Sequence, residues 1–194
     1  WNGWMGINVW CTDSKWHWNM LSNVEKELKN FAKYVVTKSR MNLRSSGKSS
    51  SGDLSKSLDS NVKVSKNSFE LSFLMEDYGV FQDKGVKGKS SSAKAPNSPF
   101  KFGTGTGRKG GLSEGINKWV KRKRFQFRDK KSGKFLSYDS TAFLISRSIY
   151  HKGIAPSLFF TKPFEKAFKG LNKDLVKAYK LDVEQLMKNT INNK

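Results

Sequence analysis

The sequence predicts an α+β fold: an antiparallel β-sheet from hairpins packed against amphipathic helices, with a long loop and an N-terminal arm. Three observations carry that expectation. Val24, Leu28, Phe31, Val35 and Leu43, with Ala32 and Val36 beside them, recur at helical spacing. Asn61-Val62-Lys63-Val64-Ser65 and Phe69–Glu76 then alternate apolar and polar residues, as strands with one buried face do. Phe164, Ala167, Phe168, Leu171, Leu175 and Ala178 return to the helical period and run on toward Leu186.

The elements follow in order. Residues 1–19 hold Trp1, Trp4, Trp10, Trp16 and Trp18, five of the six tryptophans, and read as a Trp-rich arm or an upstream extension. Tryptophan is a favoured interface anchor, so Trp4, Trp10, Trp16 and Trp18 are candidate inter-subunit contacts. Residues 20–188 read as a single α+β domain. Ser22 and Glu25 form a capping-box pattern at the start of the first helix, which is expected to end near Arg44. Ser45–Gly52 is a polar linker, and Leu54 and Leu58 suit a short helical turn. Lys66-Asn67-Ser68 joins two strands into a hairpin.

After Tyr78–Gly85, residues 86–111 are rich in Gly, Ser, Lys and Pro and are expected to be a long loop that orders on meeting a partner. Phe100 and Phe102 within it are further candidate inter-subunit contacts. Ser113 is expected to cap a short helix carrying Ile116, Trp119 and Val120. A basic hairpin over 121–138 is expected from Phe125-Gln126-Phe127 and Phe135–Tyr138 flanking Ser132-Gly133. Ser140 is expected to cap the next helix, whose apolar face would be Phe143, Leu144, Ile145 and Ile149, and Gly153 is a natural helix stop. Thr161 and Pro163 start the last helix, and residues 189–194 are expected to fray.

Composition narrows the function. The chain has 37 Lys+Arg against 16 Asp+Glu, a formal charge of +21, which favours an anionic partner. With 14 Phe, 6 Trp and 5 Tyr it is too aromatic to be disordered throughout. Cys11 is the single cysteine, so an intrachain disulfide is excluded, and with only His17 and His151 a structural zinc site is not expected. No apolar run reaches the roughly 18–20 residues that span a membrane. The chain is therefore expected to be soluble and made in a cytoplasm.

Catalytic chemistry finds little support. Glu76-Asp77 is the one adjacent carboxylate pair, with Asp83 as the nearest third hard ligand, but two acids at a strand end are commonly solvated. His151 falls in the last turn of its helix, where a cation complements the dipole. Gly103–Gly111 lacks the Gly-Lys-Ser/Thr ending of a phosphate-binding loop. No cofactor and no enzymatic activity are expected. The densest cationic run, Lys121-Arg122-Lys123-Arg124, with Arg128 beyond it and Trp119, Phe125 and Phe127 nearby, is the best signal for contact with DNA or an acidic partner.

The order of motifs resembles the neck and tail-completion (minor tail component, head–tail joining) family of long-tailed bacteriophages. The matching segments are Arg40-Met41-Asn42-Leu43, Gly52–Leu58, Tyr78–Gly85, Ala142–Ile154, Phe159-Phe160 and Pro163-Phe164. The resemblance implies a structural virion protein at the head–tail junction, a homo-oligomeric ring that joins the portal or connector to tail-tube or terminator proteins and lets DNA pass. It implies no catalytic residues. The alternative is a non-enzymatic basic protein that binds nucleic acid. A binding experiment alone does not separate the two; assembly does.

Overall fold

The computed structural model describes residues 21–46, 51–65, 68–105 and 111–192. The fold is α+β, with six helices and two small antiparallel sheets among those residues. Where the sequence suggests one domain, the chain packs as two compact units. One takes the described residues through Val35, Ser60–Phe73 and the chain from Glu165 onward. The other takes Val36–Asp59 and Leu74–Phe164. Trp4, Trp10, Trp16 and Trp18 lie outside the described residues.

The first unit is built on α1 (Ser22–Ser45), the hairpin of β1 (Asp59–Ser65) and β2 (Ser68–Leu74), and α6 (Thr161–Asn192), each of which contributes most of its apolar face here. Val24, Leu28 and Ala178 are buried together, with Leu21, Val62, Phe69 and Leu175 packed around them. Phe31 meets Phe73 edge-on at 6.3 Å between ring centroids. Burying a side chain of this size stabilises by about 1.5–3 kcal/mol, so this cluster holds the helix pair and the hairpin together.

The start of α1 is capped from a distance. The expected Ser22–Glu25 box does not form, since Ser22 is itself the first helical residue. The buried carboxylate of Asp182 on α6 takes its place. Asp182 Oδ1 accepts from the Asn23 backbone N–H at 3.0 Å and from Asn23 Nδ2 at 2.7 Å, and Oδ2 accepts from the Val24 N–H at 3.0 Å. First-turn amides have no intrahelical acceptor, and a carboxylate there also complements the helix dipole.

The second unit holds α2 (Asp53–Ser57), α3 (Tyr78–Lys84), β3 (Val86–Lys87), α4 (Gly111–Lys123), α5 (Tyr138–Lys152) and β4 (Gly153–Ile154). Helix α3 was not foreseen. β3 and β4 pair antiparallel, Val86 opposite Ile154 and Lys87 opposite Gly153. Gly153 ends α5 at φ 82°, with its N–H on the Ile149 carbonyl. A Cβ on Gly153 would overlap the Val86 carbonyl oxygen, and one on Gly88 would overlap the His151 carbonyl. Glycine at both positions is what lets these two backbones touch.

Four expectations are corrected in this unit. The 86–111 loop is not open over its described part, residues 86–105. The Lys87 N–H donates to the Phe100 carbonyl, Phe102 donates back to Lys87, and Lys89 donates to Tyr150. Val86, Ala95 and Ser98 are buried, and Ser98 Oγ donates to the Gly85 carbonyl at 2.7 Å. The 121–138 hairpin reduces to a single bridge between Arg128 and Phe135, because α4 runs to Lys123 and α5 already begins at Tyr138. The α5 cap is Ser137, whose hydroxyl accepts from the Ser140 N–H at 3.1 Å, and Ser113 lies inside α4, which begins at Gly111.

The buried face of α5 is the fourth correction. Thr141, Ala142 and Ser146 are buried, whereas Phe143 is 60% exposed and Leu144 is exposed as well. α4 and α5 pack together, and small residues on α5 allow a close approach that Phe143 would prevent. At the C-terminus, α6 continues to Asn192, beyond the expected start of fraying at 189.

Candidate functional site

The cationic residues singled out in the sequence stand on an ordered projection of the second unit. Lys121, Arg122 and Lys123 form the last turn of α4, and all are exposed, as are Arg124 and Arg128. The helix ends in a paired-carbonyl turn: the Arg124 N–H donates to the Lys121 carbonyl and the Phe125 N–H to the Val120 carbonyl. Arg124 occupies the left-handed position of that turn, at φ 51°. Glycine is the usual residue there, because an L side chain costs roughly 1–2 kcal/mol in that conformation.

Beyond it, the turn at 129–134 is fixed by its own side chains. Asp129 accepts from the Ser132 hydroxyl at 2.6 Å and from the Lys131 and Ser132 N–H groups at 3.2 Å. These bonds, the Ser132 hydroxyl first, hold the Asp129 carboxyl below its ordinary value. Arg128 Nε donates to the Gly133 carbonyl at 2.6 Å. Gln126 Nε2 donates to the Leu136 carbonyl at 2.8 Å, and the Phe127 N–H reaches the buried Thr141 hydroxyl of α5.

Aromatic rings sit among the cations. Trp119 and Phe125 are 6.1 Å apart, and Phe125 meets Phe127 edge-on at 5.3 Å. Phe125 and Phe127 are about two-fifths exposed and Phe135 is 69% exposed. Lys130, Lys131, Lys134 and Phe135 belong to this surface but were not picked out from sequence. The available signal was the Lys-Lys-Ser-Gly-Lys composition of the turn, which places cations on both of its arms.

The other sequence candidates have intrachain roles. Phe100 packs edge-on against Phe81 at 4.7 Å, and Phe102 against Tyr150 at 5.9 Å, so both rings help fix residues 86–105 to the body of the unit. Asp83 is buried and accepts from the Phe160 and Thr161 N–H groups at 2.9 and 3.3 Å and from the Thr161 hydroxyl, capping α6. It is thereby committed to a helix end, while Glu76 and Asp77 are exposed. Tyr78 beside them has its phenol pushed up by burial and by the charges of Asp53 and Glu76. His151 Nδ1 lies 2.9 Å from the Ser90 hydroxyl, joining the 86–105 segment to the end of α5. No three His, Cys, Asp or Glu residues gather to hold a metal, and no helix is long and apolar enough to cross a membrane, among the described residues.

In the first unit, α6 carries a second apolar row. Leu171, Leu175 and Ala178 form the row that includes the contacts to α1. Val176, Tyr179, Val183, Met187 and Ile191 recur every three to four residues on an adjacent face, and all but Val183 are exposed, Ile191 at 72%.

Comparisons with protein-family profiles, with curated proteins and with solved structures find no match to this chain.

Proposed function

We propose that this chain is a structural subunit of the head–tail junction of a long-tailed phage, a neck or tail-completion protein that acts by ring assembly. It joins connector to tail while DNA passes, and its partners are further copies of itself, the portal or connector, and tail-tube or terminator proteins. Its place is the virion, after synthesis in the host cytoplasm.

The observation that supports this reading is how the segments carrying the resemblance meet. Arg40 Nη2 donates to the Leu58 carbonyl at 2.5 Å, tying the Arg40–Leu43 segment to Gly52–Leu58. Asn42 Nδ2 donates to the Phe159 carbonyl at 3.2 Å. Asp83, within Tyr78–Gly85, binds the Phe160 and Thr161 amides. Ile154, the last residue of Ala142–Ile154, pairs with Val86. Motifs that are individually weak thus form one connected set of contacts within the second unit. The row Val176, Tyr179, Val183, Met187 and Ile191 offers apolar surface of the kind a ring subunit buries against neighbours.

Gold-labelled antibody against the chain, applied to purified particles, tests the assignment. Label confined to the head–tail junction is expected. Label absent from particles, with the protein recovered only in the infected-cell lysate, contradicts it.

A further inference from the structure

We infer that the surface from Lys121 to Phe135 is a sequence-independent binding site for a nucleic-acid strand. Its cations take the phosphodiester backbone and its exposed phenylalanine rings lie against bases. The inference needs only the single chain and goes beyond ring assembly.

Cation density is the first argument. Lys121, Arg122, Lys123, Arg124, Arg128, Lys130, Lys131 and Lys134 are all exposed on this one short stretch. Its own carboxylate, Asp129, is held by the turn it closes. The neighbouring Asp139 accepts from Asn117 at 2.6 Å and lies 3.7 Å from Lys121. Lys123, Arg124, Lys130, Lys131 and Lys134 have no carboxylate within 4 Å among the described residues, so their charge is available to an external anion.

Rigidity is the second. The paired-carbonyl turn at Arg124, the Asp129 turn, the Arg128–Phe135 bridge and the Gln126–Leu136 bond fix the backbone under these side chains. A preorganised cationic surface loses less on binding than a loose one. Arg124 sharpens the point. It holds a charge at a backbone position where glycine would relieve strain, and residues in such conformations concentrate at functional positions.

The third is the rings. Phe125, Phe127 and Phe135 expose apolar surface between cations instead of joining a core. An acidic protein surface would answer the charge but gives those rings no stacking partner, whereas every base has a π-face. Nucleic acid is therefore the occupant that satisfies both features.

The test uses the purified full chain and three probes: a 20-nucleotide oligothymidine, a mixed-sequence duplex of equal length, and poly-glutamate of matched charge. Affinity is followed by fluorescence anisotropy across a salt series. The wild type is expected to bind a nucleic acid more tightly than poly-glutamate, with affinity falling steeply as salt rises. Replacing Lys123, Arg124, Lys130 and Lys134 together by Gln is expected to lower affinity at least tenfold and flatten the logarithmic salt slope by roughly three, at about 0.9 per phosphate on duplex. Tighter binding of the single strand, lost in Phe135→Ala, assigns the rings to base stacking, and equal binding of strand and duplex assigns the affinity to phosphates. Poly-glutamate binding as tight as nucleic acid overturns the inference. So does unchanged affinity in the quadruple variant, provided its circular dichroism and melting match wild type.

Discussion

The carboxylate of Asp83 on α3 caps the helix that begins at Thr161, accepting that residue's N–H and its hydroxyl as well as the Phe160 N–H. Asp182, farther along the same helix, caps α1 through Asn23 and Val24. Each long helix therefore starts on a buried carboxylate supplied by a distant segment.

The first prediction concerns Asp83. Asp83→Ala removes three acceptor contacts from a buried helix end and is expected to destabilise by about 2–3 kcal/mol. Asp83→Asn keeps one carbonyl acceptor and should cost about half as much. Urea titration at constant slope measures both.

Asp182→Ala is expected to cost about 2 kcal/mol for the same reason. It has a local signature as well. Hydrogen exchange at the Asn23 and Val24 amides should accelerate well beyond the global change, because those amides lose their acceptors.

Gly153→Ala should be among the most damaging single-methyl changes in the chain. It combines a positive φ with overlap on the Val86 carbonyl and is expected to cost about 3 kcal/mol or more. Gly115→Ala in α4 is the control. A Cβ there meets nothing within 4 Å, and helix propensity predicts a gain of about 0.5–1 kcal/mol.

Arg124→Gly separates stability from binding. Relief of the left-handed conformation is expected to stabilise by about 1 kcal/mol, seen as a higher melting temperature. The same variant should bind oligothymidine more weakly. Destabilisation would show that the Arg124 side chain makes a favourable contact of its own.

The Asp129 turn carries a pH dependence. Its carboxyl titrates below the ordinary 3.8 because the Ser132 hydroxyl and two N–H groups bind the charged form. The ordering this supplies is complete above the ordinary carboxylate range and is lost as pH falls through the lowered value. Carboxyl chemical shifts should report a midpoint below 3.8, which Ser132→Ala moves upward.

Legibility in the sequence followed the range of the interaction. The α1 row from Val24 to Leu43, the Lys66–Ser68 hairpin turn and the start of α6 at Thr161 rest on local periodicity and turn chemistry, and all three were readable. The Asp182 and Asp83 caps were not, because nothing near either aspartate in sequence marks the helix it serves. The pairing of Val86-Lys87 with Gly153-Ile154 is two residues long on each side, too short for alternation to register. On α5 the apolar side chains Phe143 and Leu144 misled, since helix packing selected the small residues Thr141, Ala142 and Ser146. For the candidate site, the Lys121–Arg124 run was plain. The grouping of Lys130, Lys134 and Phe135 with it depends on the Asp129 turn.

Ring assembly by this chain is tested most directly by native mass spectrometry of the full-length protein, alone and mixed with the connector and tail-tube proteins encoded beside it. A discrete closed oligomer, alone or on the connector, is expected, and Tyr179→Asp with Met187→Asp on the exposed row of α6 should reduce it to monomer. A species that stays monomeric at every concentration and with every partner, while binding DNA with steep salt dependence, would contradict the head–tail role and leave a nucleic-acid-binding protein in its place.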